Sequence, residues 1–173
     1  MDRKIIKETV DKLISELDLH PPVDLNRFFD YFSNLKIEYG VNEVNLLDGK
    51  ISKNNEDYIV SLGCDKEGMN ERDRFTLAHE LGHLFLGHVD RHETLYRRGA
   101  NKLEYEANEF AAELLMPQEV FIQIVNENVD SDGVCDIFKV AQHFEVSSSA
   151  ALTRGKFLGL FAWRSEERRV GKE

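Results

Sequence analysis

Apolar residues recur along this chain with a helical period over most of its length and with a strand-like period in one short interval. Over residues 2–18 they lie three or four positions apart, which predicts an amphipathic helix. Pro21 and Pro22 end that helix, because proline interrupts helical hydrogen bonding. A second, short helix is predicted from about Asp24. From residue 36 the period shortens and predicts strands.

The strand-like interval contains several short candidate strands separated by turn-forming residues. Asp48-Gly49 is typical of a tight hairpin, and residues 54–56 form a polar turn. We therefore expect a small, largely antiparallel sheet immediately before the long helix that follows. The candidate strands are 36–39, 45–47, 50–52 and Asp57–Leu62.

The long helix after the sheet has recognisable start and stop signals. Asn70 is a candidate N-cap with Asp73 at the capping-box position, and Gly87 suits the C-terminal end of a helix running to about residue 86. The polar segment 88–100 reads as a loop. Further helices are predicted at 104–116, at 118–126 and, as a pair joined at 145–147, within 135–160.

These elements define an α+β fold that is mainly helical, with a small sheet before the long helix and a helical C-terminal part. We divide the chain into a main domain over 1–130, a C-terminal part over 131–163 packed on it, and a tail over 164–173. The spacing of Val140, Phe144, Ser147 and Ala150 makes the C-terminal part helix-turn-helix-like. The tail has almost no apolar content, so we expect it to be disordered.

Composition narrows the possible partners of this 173-residue chain. A net charge of −10 opposes binding to a phosphate backbone, so we expect no direct nucleic-acid binding. Cys64 and Cys135 lie far apart and suggest two reduced thiols rather than a disulfide framework. No apolar run approaches the ~20 residues of a membrane span, and no signal-peptide pattern opens the chain. We therefore expect a cytoplasmic protein without membrane contact.

The strongest chemical signal is the pattern H-E-x-x-H formed by His79, Glu80 and His83. On a helix, residues four apart lie about 6 Å from each other at Cβ, so both imidazoles can share one zinc ion. Glu80 is rotated by about 100° from His79, beside the metal, where it can accept a proton from a water. The strongly apolar flanks indicate a mostly buried helix. Because buried imidazoles need partners, we favour a metal site over exposed histidines on a core helix.

A catalytic zinc site needs a third protein ligand. His88 and His92 are nearest, but Gly87 and His88 fall outside the register of the metzincin pattern, so we expect His88 to be a helix-end or solvated histidine. Glu104, with Asn108 one turn later, resembles the E-x-x-x-D element of gluzincin-type sites, with Asn in place of Asp. The glutamate would bind the metal, and Asn108 would orient a histidine by a hydrogen bond.

Two alternatives to this assignment of Glu104 remain. Glu104 could instead be a capping-box glutamate, three residues after a possible N-cap at Asn101. Glu106 could be the ligand, although on an ideal helix it points about 200° away from Glu104, which favours a solvated face.

Two motifs taken together resemble the ImmA/IrrE-type metallopeptidases. They are Arg74-Phe-Thr-Leu-Ala-His-Glu-Leu-Gly-His83 and Glu104-x-x-Ala-Asn-x-Phe-Ala-Ala-x-Leu-Leu-Met-Pro117, and the resemblance covers about 5–160. It implies a zincin-like fold and a zinc-dependent endopeptidase. Carried onto this sequence, it implies Zn²⁺ bound by His79, His83 and Glu104, with Glu80 as the base.

The resemblance also implies a partner, since members of that family often cut a helix-turn-helix repressor and release a stress-response or mobile-element programme. The alternative is a DNA-binding or protein-binding transcriptional regulator with a non-catalytic zinc site. Against it, only Arg154 and Lys156 are strongly basic in the second helix of the C-terminal part, and a structural zinc needs no base such as Glu80. For a peptidase a second oxyanion donor is expected, and the candidates are Tyr96, His88 and His143.

Overall fold

A computed structural model of the chain describes residues 1–42, 49–91 and 100–161. The expected α+β class is confirmed, whereas the candidate strand at 45–47, Asp48 of the first hairpin and the tail over 164–173 lie outside the described residues. Among those residues no helix combines the length and apolar content needed to cross a membrane. The elements are α1 (Arg3–Glu16), α2 (Asn26–Tyr31), β1 (Leu35–Glu38), β2 (Gly49–Asn54), β3 (Asp57–Leu62), α3 (Glu71–Phe85), α4 (Ala100–Leu115), α5 (Gln118–Glu127), α6 (Ile137–Phe144) and α7 (Ser148–Phe157).

The sheet is mixed, with strand order β1-β3-β2. Strands β2 and β3 form the expected antiparallel hairpin, which Asn55 turns with a positive φ of 54°. Strands β1 and β3 are parallel, with Leu35 opposite Tyr58. The three strands alternate in direction along the chain. Because β3 lies between the other two in the sheet, it pairs with β1, which runs in the same direction. The expectation of a largely antiparallel sheet therefore applies to the β2–β3 pair alone.

Helix α3 begins and ends where its capping residues predict. The Asn70 side chain accepts a hydrogen bond from the Asp73 backbone N–H, and the Asp73 carboxylate accepts one from the Asn70 N–H, both at 3.0 Å. This reciprocal capping box satisfies two N–H groups that a helix otherwise leaves unpaired. At the other end Gly87 takes a left-handed φ of 72°, which glycine adopts without steric penalty.

Helix α3 packs closely against α4 on one side and the sheet on the other. A Cβ atom at Gly82 would lie 3.1 Å from the Ala107 carbonyl oxygen and 3.2 Å from its Cα. A Cβ atom at Gly49, the first residue of β2, would lie 2.6 Å from Cγ2 of Thr76. The absence of side chains at these two glycines therefore lets α3 approach both neighbours.

The C-terminal helices α6 and α7 share the hydrophobic core with the rest of the described chain. The rings of Phe121 and Phe144 lie 5.6 Å apart and join α5 to α6. The Arg154 side chain of α7 is 4% exposed, forms an ion pair with Glu113 of α4 and donates to the Met116 carbonyl at 3.2 Å. These contacts fix α7 against α4, the helix that carries Glu104.

Candidate metal centre

Three side chains from α3 and α4 converge with their potential ligand atoms facing one another. Nε2 of His79 lies 3.1 Å from Oε2 of Glu104, and Nε2 of His83 lies 3.3 Å from Oε1 of the same carboxylate. The two imidazole Nε2 atoms are 3.0 Å apart. All three ligand atoms lie within 4.8 Å of one another, so the group could hold a metal ion. The His side chains are largely buried while that of Glu104 is 58% exposed, which leaves one side of the site open to solvent.

Asn108 lies behind one of these histidines. Its Oδ1 atom is 2.9 Å from Nδ1 of His79, a position where it accepts the Nδ1 proton of a neutral imidazole. That hydrogen bond leaves the lone pair of Nε2 directed at the cluster. The spacing of Glu104 and Asn108, one turn apart on α4, thus places one residue in the cluster and the other behind it.

His88 lies at the helix end, one of the two environments that we expected from sequence, but it is not solvated. It is only 3% exposed, and its Nδ1 atom lies 3.0 Å from Nδ1 of His83. The reason is the left-handed turn at Gly87, which folds the chain back over the end of α3. A glycine at this position followed by histidine was the available signal, because this kind of helix end returns the second residue after the helix to its last turn.

The expectation of a solvated face for Glu106 was also wrong, since this residue is 4% exposed. The start of α1 covers this face of α4, and the Met1 amino group forms an ion pair with the Glu106 carboxylate. Burial would raise the pKa of Glu106, but the amino terminus and His88 outweigh it and hold that pKa below its usual range. Of the two candidate glutamates, only Glu104 lies in the cluster with His79 and His83.

Glu80 lies beside the cluster between α3 and β2. It is 7% exposed, and its Cγ is within 3.3 Å of a Cβ position at Gly49. Burial and, to a smaller extent, the negative charge of Glu104 raise the pKa of Glu80, the backbone N–H of Ile51 partly opposes both, and the resulting pKa is about 7. A carboxyl group with a pKa near 7 can both accept and release a proton at neutral pH.

Comparison with known proteins gives the family. A family model described as the IrrE N-terminal-like domain, peptidase family M78, matches residues 59–156, more than half of the chain. The chain belongs to this family. The match runs from β3 into α7 and includes both helices of the metal centre, and it confirms the resemblance seen in the two motifs. A search of curated proteins found no match.

Membership in peptidase family M78 indicates a metallopeptidase, and the donor set fits the metal that such a protein requires. Two imidazoles and one carboxylate, with a side open to solvent, match the His₂Glu ligands of catalytic zinc sites. Asn108 and His88 stand behind the two histidines, as the outer partners of metal-bound imidazoles commonly do.

A cavity of about 560 Å³ adjoins the centre of this M78-family protein, between α3, α4 and α7. It shares Thr76 and Asn108 with the surroundings of the centre. Most of its wall surface is apolar, although charged and hydroxyl side chains, among them Arg72 and Glu109, also line it. Sequence patterns did not reveal it, because it depends on how α7 lies against α4. The apolar lining residues include Phe75, Tyr105, Ala112, Met116, Ala150 and Phe157.

Two of the three candidates for a second oxyanion donor, His88 and His143, lie within the described residues. His88 contacts His83 behind the cluster, and His143 lies exposed near the end of α6 with its ring 4.8 Å from that of Phe144. Tyr96, the third candidate, lies outside the described residues, as does His92, which was a candidate for the third metal ligand only.

Proposed function

We propose that this protein is a zinc-dependent endopeptidase that hydrolyses a peptide bond in a protein substrate. The observation that carries the proposal is the convergence of His79, His83 and Glu104, with the buried carboxyl of Glu80 beside them. Membership in a metallopeptidase family supports the reaction class, and a donor set of two imidazoles and one carboxylate favours zinc.

Glu80 is the general base and then the general acid of the proposed reaction. A zinc ion held by His79, His83 and Glu104 would supply Lewis acidity, acidifying a water and polarising the scissile carbonyl. The Glu80 carboxylate accepts the proton of the attacking water and passes it to the leaving amine. In the metal-free protein, burial and the charge of Glu104 raise the pKa of Glu80 to about 7. Burial thus favours a carboxyl that can hold the proton between the two transfers.

Strand β2 is the proposed docking edge for the substrate backbone. Within the described residues it is an edge strand. It lies next to the proposed base, because the backbone N–H of Ile51 in this strand acts on the Glu80 carboxyl and lowers its pKa. An extended peptide can add to such an edge through main-chain hydrogen bonds. The apolar cavity next to Asn108 offers space for side chains of the same peptide.

The proposal is tested by the Glu80→Gln variant, loaded with zinc and incubated with a library of proteome-derived peptides. The amide keeps the shape of the side chain but cannot take a proton from water, so we expect wild-type zinc content and no internal cleavage by mass spectrometry. Glu71→Gln is the matched control, because Glu71 is exposed in the first turn of the same helix. Cleavage by Glu80→Gln at the wild-type rate would contradict the proposed role.

We propose further that the substrate is a helix-turn-helix repressor whose cleavage releases a stress-response or mobile-element programme. Support comes from the family resemblance. The test is co-expression with each helix-turn-helix repressor encoded beside this gene, followed by immunoblotting for the intact repressor. We expect loss of one repressor with the wild type but not with Glu80→Gln. If every repressor stays intact while the peptide library is cut, another class of substrate is indicated.

The alternative of direct DNA binding gains no support from α7. Arg154, one of its two strong basic positions, is 4% exposed and paired with Glu113. A guanidinium held in this way is not placed to contact a phosphate backbone. This agrees with the acidic net charge and favours action on a protein.

A further inference from the structure

Behind the metal centre, His83 continues into a buried chain of polar side chains. Its Nδ1 atom lies 3.0 Å from Nδ1 of His88, and Nε2 of His88 lies 3.1 Å from Oε2 of Glu106. The side chains of His88 and Glu106 are 3% and 5% exposed. Burying such groups is unfavourable unless they are paired. These hydrogen bonds therefore stabilise the buried His88 and Glu106 side chains.

The direction of the hydrogen bonds follows from the metal centre. His83 presents Nε2 to Glu104, so a metal would take the lone pair of Nε2 and the proton of neutral His83 would be on Nδ1. Nδ1 of His88 must then accept this proton, which leaves the proton of His88 on Nε2. That N–H donates to the Glu106 carboxylate. Every proton between these three side chains is therefore assigned. The hydrogen bonds end at the Glu106 carboxylate, which also forms the ion pair with the Met1 amino group.

The backbone joins the same two histidines a second time. The His88 N–H donates to the His83 carbonyl at 2.8 Å, and the Gly87 N–H donates to the Leu84 carbonyl at 2.9 Å. With Gly87 at a φ of 72°, this is a Schellman motif, in which the second residue after the helix returns to its last turn. The helix end therefore positions His88 against His83 independently of the side-chain contact.

Helix α4 thus supports both histidines from behind. Asn108 contacts Nδ1 of His79 directly, whereas Glu106 reaches Nδ1 of His83 through His88. Glu106 lies two residues from Glu104. The hydrogen bonds from His83 through His88 to Glu106 therefore fix α3 and α4 to each other at the point where they share the metal centre.

We infer that His88 is a positioning residue of the metal centre, which fixes the tautomer and orientation of His83 and links it to Glu106. The inference rests on the metal centre of the proposed function. Partners behind metal-bound histidines typically contribute 10- to 100-fold to metal affinity. His88 does not contact the reacting atoms, so its effect should appear first in metal binding.

The test compares zinc affinity, measured by competition with a chelator, in His88→Leu and His88→Asn. The leucine offers no acceptor to His83, and we expect a loss of affinity of about 10- to 100-fold. The Oδ1 of asparagine can take the place of Nδ1 and accept the His83 proton, so we expect it to restore most of the affinity. His20→Leu is the matched control, because the His20 side chain is 80% exposed and pairs with Asp18.

The absorption spectrum of the Co²⁺-loaded protein provides a second readout. We expect the d–d bands to shift in His88→Leu and to return toward those of the wild type in His88→Asn. Wild-type affinity and spectrum in His88→Leu would overturn the inference, as would an asparagine variant no better than leucine, which would indicate packing alone. A wild type that binds zinc but cuts no peptide would contradict the proposed function and leave this inference standing.

Discussion

At the scale of single residues, Glu80, the base that we propose for catalysis, carries a cost in stability. Its carboxyl is buried between α3 and β2, and this burial, together with the negative charge of Glu104, raises its pKa from 4.5 to about 7. The folded, metal-free protein therefore binds a proton that the unfolded chain releases between these two pH values. Stability from this group is complete below pH 4.5 and is lost as the pH rises through 7.

The substitution Glu80→Gln should therefore stabilise the metal-free protein at neutral pH and not at acidic pH. Between pH 4.5 and pH 7 we expect the stability of the variant relative to wild type to rise by roughly 2–3 kcal/mol. The measurement is urea unfolding in the presence of a chelator across this range. Glu71→Gln supplies the baseline for an exposed amide substitution. A difference that is independent of pH would mean that Glu80 ionises normally.

The residues that sequence could assign are those whose relation is set within one helix. His79, Glu80 and His83, and likewise Glu104 and Asn108, have positions fixed by helical spacing alone. The burial of Glu106 was not predictable in this way, because it depends on α1 covering a second face of α4. His88 depends on the left-handed turn at Gly87, a signal that was present but was read only as a helix end.

At the scale of elements, the approach of α3 to α4 sets the geometry of the centre. The capping signals gave both ends of α3, but neither the crossing of the two helices nor the order of the strands could be read from local patterns. Two strands of like direction became neighbours because β3 lies between β1 and β2. At the crossing, a Cβ atom at Gly82 would lie 3.1–3.2 Å from the backbone of Ala107, closer than ordinary van der Waals contact.

A side chain at Gly82 should therefore separate the ligands. In Gly82→Val the new methyl groups meet the backbone of Ala107, and we expect a loss of roughly 1–3 kcal/mol in stability from overpacking. Because Glu104 moves with α4, zinc affinity should also fall. The measurements are urea unfolding without metal and chelator competition with zinc. Gly63→Val is the control, since a Cβ atom there meets nothing within 4 Å. Equal zinc affinity in the two variants would contradict this role of the helix crossing.

At the scale of the whole molecule, the C-terminal helices belong to the same packed unit as the metal centre. The ion pair between Arg154 of α7 and Glu113 of α4 is buried, and Glu113 also accepts from the Gln118 backbone N–H at 3.2 Å. The sequence predicted a helix pair resembling a helix-turn-helix. It did not predict that the arginine of this pair would be buried in an ion pair. The pairing partner lies 41 residues earlier, beyond the reach of local patterns.

Breaking this pair should destabilise the whole fold. Arg154→Met leaves the Glu113 carboxylate buried without its partner, and we expect a loss of about 3–5 kcal/mol. The double variant Arg154→Met/Glu113→Gln removes the stranded charge and should recover much of that loss. Circular dichroism during urea unfolding is the measurement, and a single transition is expected for each variant. A separate early transition, with little change in the main one, would mean that α7 is an independent unit.

The most direct test of the metal centre is anomalous diffraction at the zinc absorption edge from crystals of the zinc-loaded protein. The proposal predicts one strong peak about 2.0–2.2 Å from Nε2 of His79, Nε2 of His83 and a carboxylate oxygen of Glu104, with Asn108 and His88 behind the two imidazoles. No peak between α3 and α4, or a peak bound by Glu106 in place of Glu104, would contradict it.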